Sequence, residues 1–107
     1  MSEPIFFRFD GETAGLTPPE NGILSKTLFE DERMRILGFA FDAGQMLSEH
    51  TASVPAMIAI VSGRAKVGLG SSYECEPRLG EWIYMQAKLP HSVTALEPTV
   101  MLLAMLR

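Results

Sequence analysis

The sequence has little of several features that mark common functional classes. Its single cysteine, Cys75, cannot form a disulfide within the chain. Nine Lys and Arg are outnumbered by thirteen Asp and Glu, and no basic stripe collects phosphates. No apolar run approaches the roughly 20 residues of a membrane span, and the first residues lack the basic start of a secretory signal. We therefore expect a cytoplasmic protein that binds neither nucleic acid nor a membrane.

The residues that are present indicate one compact domain. A chain of 107 residues that is 47% hydrophobic and 21% charged is long enough for one core and too apolar to be disordered. Glycines and prolines punctuate residues 1–22, which we predict to be an N-terminal arm with at most a short strand at residues 5–9. Residues 23–107 are predicted to form the folded barrel.

From residue 23 onward, short apolar runs alternate with turns. Strands at intervals of about 8 to 12 residues are typical of an all-β sandwich or barrel, and no run has the spacing of a long amphipathic helix. A charged turn at residues 30–32 separates the first two strands as in a hairpin. The predicted strands span residues 23–29, 33–41, 56–61, 65–69, 73–78, 82–85, 91–95 and 99–106.

Three of these strands, at 36–41, 56–61 and 100–106, are apolar on both alternating faces. A sheet with one wet face would alternate apolar and polar residues, so something must cover the second face. We predict a homodimer joined through a sheet face. The alternative is a monomer whose N-terminal arm covers that face.

The two histidines, His50 and His91, each follow a turn and precede an apolar strand. Gly44, His50 and Gly63 match in register a motif that runs Gly, five residues, His-x-His, three or four residues, Glu, six residues, Gly. Gly80 and His91 match a second motif that runs Gly, five residues, Pro-x-Gly, two residues, His, three residues, Asn. With the strand rhythm, residues 33–106 therefore resemble the cupin superfamily, in the small single-domain form of the conserved-barrel cupin 2 type.

The resemblance implies an antiparallel jelly-roll barrel, also described as a double-stranded β-helix, which is often dimeric. It also implies a pocket inside the barrel and a divalent metal held by three histidines and a glutamate. Here the metal-ligand motifs are degenerate, because Ala52 replaces the second histidine and Ala56 the glutamate. Gln86, Lys88 and Ala95 replace the Pro, Gly and Asn of the second motif.

Only His50 and His91 remain of the four family ligands. A catalytic metal usually needs about three protein ligands, so a divalent metal (Zn, Ni, Fe or Mn) would be weakly held. Two unmetallated imidazoles can instead act as an acid-base pair or contact the acidic group of a ligand. A purely structural interpretation is that each ring donates to a backbone carbonyl and closes the barrel.

The two alanines predict a roomier and more apolar pocket that suits a small organic molecule. Strand alternation predicts its lining residues, although plain core packing also explains the aromatic ones. These residues are Ala52, Ala56, Ile58, Trp82, Tyr84 or Met85, and Gln86.

Three functions remain open. The first hypothesis is a barrel protein that binds a small organic metabolite, with or without a weakly held metal at His50 and His91. The second is a metal-dependent enzyme, an oxygenase, isomerase or lyase acting on a small organic acid or ring. The third is a non-catalytic structural or interaction module, and the fold alone does not decide among them.

Overall fold

The computed structural model of the protein describes residues 15–107, so the strand predicted at residues 5–9 lies outside the described residues. In the described range the chain forms nine β-strands and no helix. The strands are β1 Ile23–Glu30, β2 Met34–Phe41, β3 Met46–His50, β4 Ala56–Ser62, β5 Ala65–Leu69, β6 Tyr73–Cys75, β7 Trp82–Met85, β8 His91–Ala95 and β9 Thr99–Leu106.

The strands form two antiparallel sheets. The five-stranded sheet has the order β1-β2-β9-β4-β7, and the four-stranded sheet has the order β3-β8-β5-β6. Their facing sides enclose one core, in which Phe41, Ile58 and Met101 of the first sheet pack with Val67 and Val93 of the second. The fold is therefore the all-β, antiparallel jelly-roll barrel that the sequence predicted.

The predicted hairpin between the first two strands is confirmed. The Asp31 carboxylate accepts hydrogen bonds from the backbone N–H of Arg33 at 2.8 Å and of Met34 at 2.9 Å. These bonds hold the pKa of Asp31 below its usual range. The turn is thus fixed by a side chain that mimics a backbone turn.

Two strands differ from the prediction by more than one residue. The sixth ends at Cys75 instead of continuing to Arg78, since Pro77 has no N–H for a sheet ladder. The third, Met46–His50, was not predicted, because it is short and mostly exposed and its pairing with β8 shifts register between Leu47 and His50. That irregularity conceals the alternation by which strands are found in a sequence.

The outer face of the five-stranded sheet is also apolar. Leu16 has no exposed surface and packs there with Ala40 and Val100. The close approach requires Gly38, since a Cβ atom at that position would lie 2.5 Å from Leu16 Cδ1. Part of the predicted N-terminal arm therefore rests on this face.

A turn contact closes the end of the barrel where β4 leads into β5. Gly63 has φ +84°, and a Cβ atom there would overlap the Pro98 carbonyl oxygen of the β8–β9 turn. The buried Thr99 hydroxyl lies 2.9 Å from the carbonyl oxygen of Arg64. Among the described residues, no helix is long and apolar enough to cross a membrane.

Candidate functional site: the paired histidines

His50 and His91 meet at one end of the barrel. They are cross-strand partners in the register of β3 and β8, so their side chains share one face of the four-stranded sheet. The ring centroids lie 4.2 Å apart, with the ring planes inclined at 59°. The structure thus brings together the two site residues that sequence motifs of separate halves had indicated.

The loops that carry this end of the barrel are tied to each other. The backbone N–H of Lys88, between β7 and β8, donates to the carbonyl oxygen of Ala52, between β3 and β4, at 2.7 Å. Lys88 has φ +69°, a left-handed conformation that costs energy for a residue with a Cβ atom. It stands where the second motif has glycine, so the backbone keeps the shape of the motif although the residue has changed.

Both imidazole rings are held in the same way, by the backbone carbonyl two residues earlier in the chain. His50 Nδ1 lies 2.8 Å from the Ser48 carbonyl oxygen, and His91 Nδ1 lies 3.0 Å from that of Leu89. A carbonyl oxygen only accepts, so each Nδ1 carries a proton and donates it. In the neutral rings both Nε2 atoms are therefore unprotonated acceptors.

The two rings differ in exposure. His50 is exposed, whereas His91 is 5% exposed and lies at the edge of the core. The only fully buried side-chain nitrogen or oxygen without a hydrogen-bond partner in residues 15–107 is Arg35 Nε, so His91 Nε2 retains contact with solvent. The pair therefore extends from the surface, at His50, to the edge of the core, at His91.

The side chains present do not fit the four-ligand metal centre that the family resemblance implies. Ala52 and Ala56 supply no donor at two of the four positions. No group of three or more His, Cys, Asp or Glu side chains able to hold a metal ion occurs in the part of the chain that the structure describes. Two imidazoles alone fall short of the three or four protein ligands of usual zinc sites.

The other predicted pocket residues divide into three groups. Ala56, Ile58 and Met85 belong to the buried core. Ala52 and Gln86 lie in the two loops beside the histidines. Trp82 and Tyr84 are 51% and 58% exposed, on the outer face, because alternation in β7 turns Ile83 and Met85 inward.

The space predicted from Ala52 and Ala56 is not open in this structure. No cavity is found among the described residues. Ala56 packs in one buried cluster with Met85 and Met101, and methionine side chains readily fill irregular gaps. The exposed His50 is the part of the histidine pair that lies on the surface at this end of the barrel.

The single thiol takes no part in the site. Partial burial raises the pKa of Cys75, and the carboxylates of Glu81 and Glu74 raise it further. The protonated thiol is a poor nucleophile.

Sequence reasoning missed two features of the site. The bulge before His50 sets its register opposite His91, and the matched hydrogen bonds at Nδ1 set both tautomers. Neither feature has a signal in the sequence. The register of β3 depends on its pairing with β8, and both hydrogen-bond acceptors are backbone carbonyls.

No protein-family model matches the sequence, and no curated protein matches it. Several solved structures do match. A conserved protein of unknown function, SPY1581 from Streptococcus pyogenes, is 30% identical, with 83% of this chain and 77% of that chain covered and a TM-score of 0.74.

Two further structures carry a family description. A cupin 2 conserved barrel domain protein from Leptotrichia buccalis is 26% identical over 83% of this chain and 43% of that chain, with a TM-score of 0.76. A cupin superfamily protein from Desulfitobacterium hafniense is 23% identical over 87% of this chain and 85% of that chain, with a TM-score of 0.79. With the jelly-roll barrel, these likenesses show that the chain has the fold of cupin superfamily proteins.

Proposed function

We propose that the protein binds a small organic molecule at the mouth of its barrel, where His50 and His91 contact the ligand. The observation that carries the proposal is the histidine pair itself. Two rings from neighbouring strands lie side by side, each fixed by a backbone hydrogen bond and each with a free Nε2. A few convergent polar groups against an apolar wall are what small-molecule sites usually contain.

Binding is a better match to these residues than metal-dependent catalysis. The two alanines remove half of the family ligand set, and the described residues offer no third donor of the His, Cys, Asp or Glu type. A purely structural role explains the hydrogen bonds at Nδ1 but not the meeting of two rings from separate strands at one end of the barrel. The partly buried Leu69, which pairs with His91 in the sheet, and the partly buried Leu89 supply the apolar part of a binding surface.

A ligand screen followed by NMR tests the proposal. Small metabolites are added to uniformly 15N-labelled protein, and the backbone signals of residues 50–52 and 88–91 are followed. We expect at least one compound to shift these signals, and expect His50→Ala to weaken its binding roughly tenfold, the range for losing a hydrogen-bond partner. His50 is exposed, so this variant is expected to fold.

Glu49→Ala provides the matched control, because Glu49 is exposed on the same strand. It should bind the compound as the wild type does. Equal binding by wild type and His50→Ala, or no compound that shifts these signals, would refute the proposal. Elemental analysis of protein purified without chelator adds a second test: a stoichiometric metal that both His50→Ala and His91→Ala lose would favour the metal-dependent enzyme instead.

A further inference from the structure

The side chain of Arg35, in β2, carries a hydrogen-bond donor that the protein leaves unsatisfied. Its Nε is fully buried and has no hydrogen-bond partner among the described residues. The Glu30 carboxylate lies 3.9 Å from this nitrogen, which is beyond hydrogen-bond distance, and accepts a bond from Arg107 instead. Arg35 Nη2 donates to Thr27 Oγ1 at 3.1 Å. The guanidinium therefore has one neutral acceptor and only a shared, more distant carboxylate.

Strand register places Arg35 on the inner face of the five-stranded sheet. β2 pairs with β9 without a register shift, so Arg35 faces the same side as Phe39 and Phe41, which pack in the core. Arg35 pairs with Met105, and Met105 pairs with Ala56. Cross-strand partners share a face. Arg35 thus shares a transverse row with Ala56, a predicted pocket residue, and their strands are two spacings, about 10 Å, apart.

The connections between the sheets show at which end of the barrel this row lies. Residues 42–45 join the far end of β2 to the start of β3 in the facing sheet. β3 then runs back toward the end that carries Arg35, and it stops at His50. The next connection, residues 51–55, leads from His50 directly to Ala56. Arg35 and the histidine pair therefore lie at the same end of the barrel, on opposite sheets.

The surface beside Arg35 is open to solvent. Ser25 and Thr27 of the edge strand β1 are exposed. Their partners in β2 are Phe39 and Leu37, so both hydroxyls lie on the inner face as well. The Arg35 side chain itself is 38% exposed. A ligand can therefore reach the guanidinium from water, past these hydroxyls, without the opening of a cavity.

We infer that Arg35 binds a carboxylate of the ligand, so that the site selects small organic acids. The inference rests on the proposed function, since it names the ligand class of the same site. A guanidinium is always charged, and its parallel N–H groups match the two oxygens of a carboxylate. Arg35 and Arg107 share the single carboxylate of Glu30, so one positive charge remains for one carboxylate to neutralise. The body of the acid then lies toward the histidines.

Titration with matched probes measures this preference. Benzoate and benzamide share one ring and differ in charge, and succinate and succinamide give the same comparison without a ring. In 15N-labelled protein, the Nε–H signal of Arg35 and the backbone signals of residues 50–52 and 88–91 are followed. We expect at least one acid to shift them and to bind roughly tenfold more tightly than its amide, as for a hydrogen bond to a charged group. Phenyl phosphate, which carries more charge, should bind no more tightly than benzoate.

Three variants identify the residue that is responsible. Arg35→Gln should weaken binding of the acid roughly tenfold or more and change binding of the amide much less. Arg35→Lys keeps the charge but loses the paired N–H groups, so its affinity for the acid should be intermediate. Arg33→Gln is the matched control, because Arg33 is exposed in the turn before β2 and the change removes the same charge. It should keep the preference for the acid.

Amides that bind as tightly as the acids, or phenyl phosphate that binds more tightly than benzoate, would overturn the inference. Equal acid binding by wild type and Arg35→Gln would do so too. An equal loss in Arg35→Gln and Arg33→Gln would show only a general attraction to positive charge and would also refute it. If Arg35→Gln does not fold, the Arg35 Nε–H signal and the Arg35→Lys variant still decide.

The metabolite screen keeps this failure apart from failure of the proposed function. Neutral ligands that shift the signals of residues 50–52 and 88–91, with no acid among the tighter ones, would refute only the selectivity. A screen in which no compound shifts these signals would refute both.

Discussion

Replacing Gly63 by alanine should destabilise the barrel much more than the same change at Gly44. Both glycines have a left-handed backbone, with φ +84° and +80°. An alanine in that region costs about 1–2 kcal/mol, and its lower entropy in the unfolded chain returns about 0.4–1 kcal/mol. At Gly44 nothing lies within 4 Å of the added Cβ, so the net loss should be about 1 kcal/mol.

At Gly63 the added Cβ would overlap the Pro98 carbonyl oxygen and lie 2.7 Å from Thr99 Oγ1. The two turns must then separate, which breaks the hydrogen bond from the buried Thr99 hydroxyl to Arg64. The Thr99 hydroxyl keeps a second acceptor, the Glu97 carbonyl oxygen at 2.7 Å. The added cost is therefore that of forcing a Cβ atom into a packed turn, about 1–3 kcal/mol, and the total loss should be about 2–4 kcal/mol.

Urea unfolding of wild type and both variants, followed by tryptophan fluorescence, measures the two losses. The single Trp82 serves as the probe. Equal losses for the two variants would refute the reasoning, because the left-handed backbone alone would then account for both.

Three further predictions follow from the fold. Lys88→Gly should raise the free energy of unfolding by about 0.5–1 kcal/mol, because it relieves a left-handed backbone outside a strand; a lower urea midpoint would contradict this. The pKa of Asp31 is lower in the folded than in the unfolded chain, so its contribution to stability is present above the unfolded pKa and is lost as pH falls through the folded one. Asp31→Asn should flatten the stability profile between about pH 2 and 5, and an unchanged acid slope would exclude this role. The apolar outer face predicts a homodimer, and sedimentation at low micromolar concentration that gave about the 11.8 kDa of one chain, without concentration dependence, would rule it out.

The sequence predicted most of the barrel because its strands have strong local signals. The bounds of β7 and β8 agree residue for residue with the prediction, since Gly80 and Pro90 punctuate both strands. The strand of His50 was missed because its apolar inward residue, Leu47, stands alone before a register shift. Alternation of apolar and polar residues identifies regular strands. It does not identify a short strand whose register is set by its neighbour.

The sequence predicted that the two histidines lie close together but not the conformation of their rings or the positions of the predicted pocket residues. The spacing of His50 and His91 from the motif glycines was enough to assign both histidines to one site. The sequence did not show which residues of β7 face the core, because the loop before His91 interrupts the alternation. In the structure Trp82 and Tyr84 face outward. The tautomers depend on backbone carbonyls, which a sequence does not display.

Because Leu16 is buried against Gly38, the outer face of the five-stranded sheet has a covered part and an exposed part. The part over β2 and β9 is already occupied by the chain itself, with Leu16 in contact with Ala40 and Val100. Within residues 15–107, the part of the face not covered by Leu16 lies toward the edge formed by β4 and β7, where Trp82 and Tyr84 are exposed. Two subunits that dimerise through this part of the face would meet off-centre, with Leu16 beside the interface. Removal of Leu16 would then enlarge the exposed apolar area and favour association.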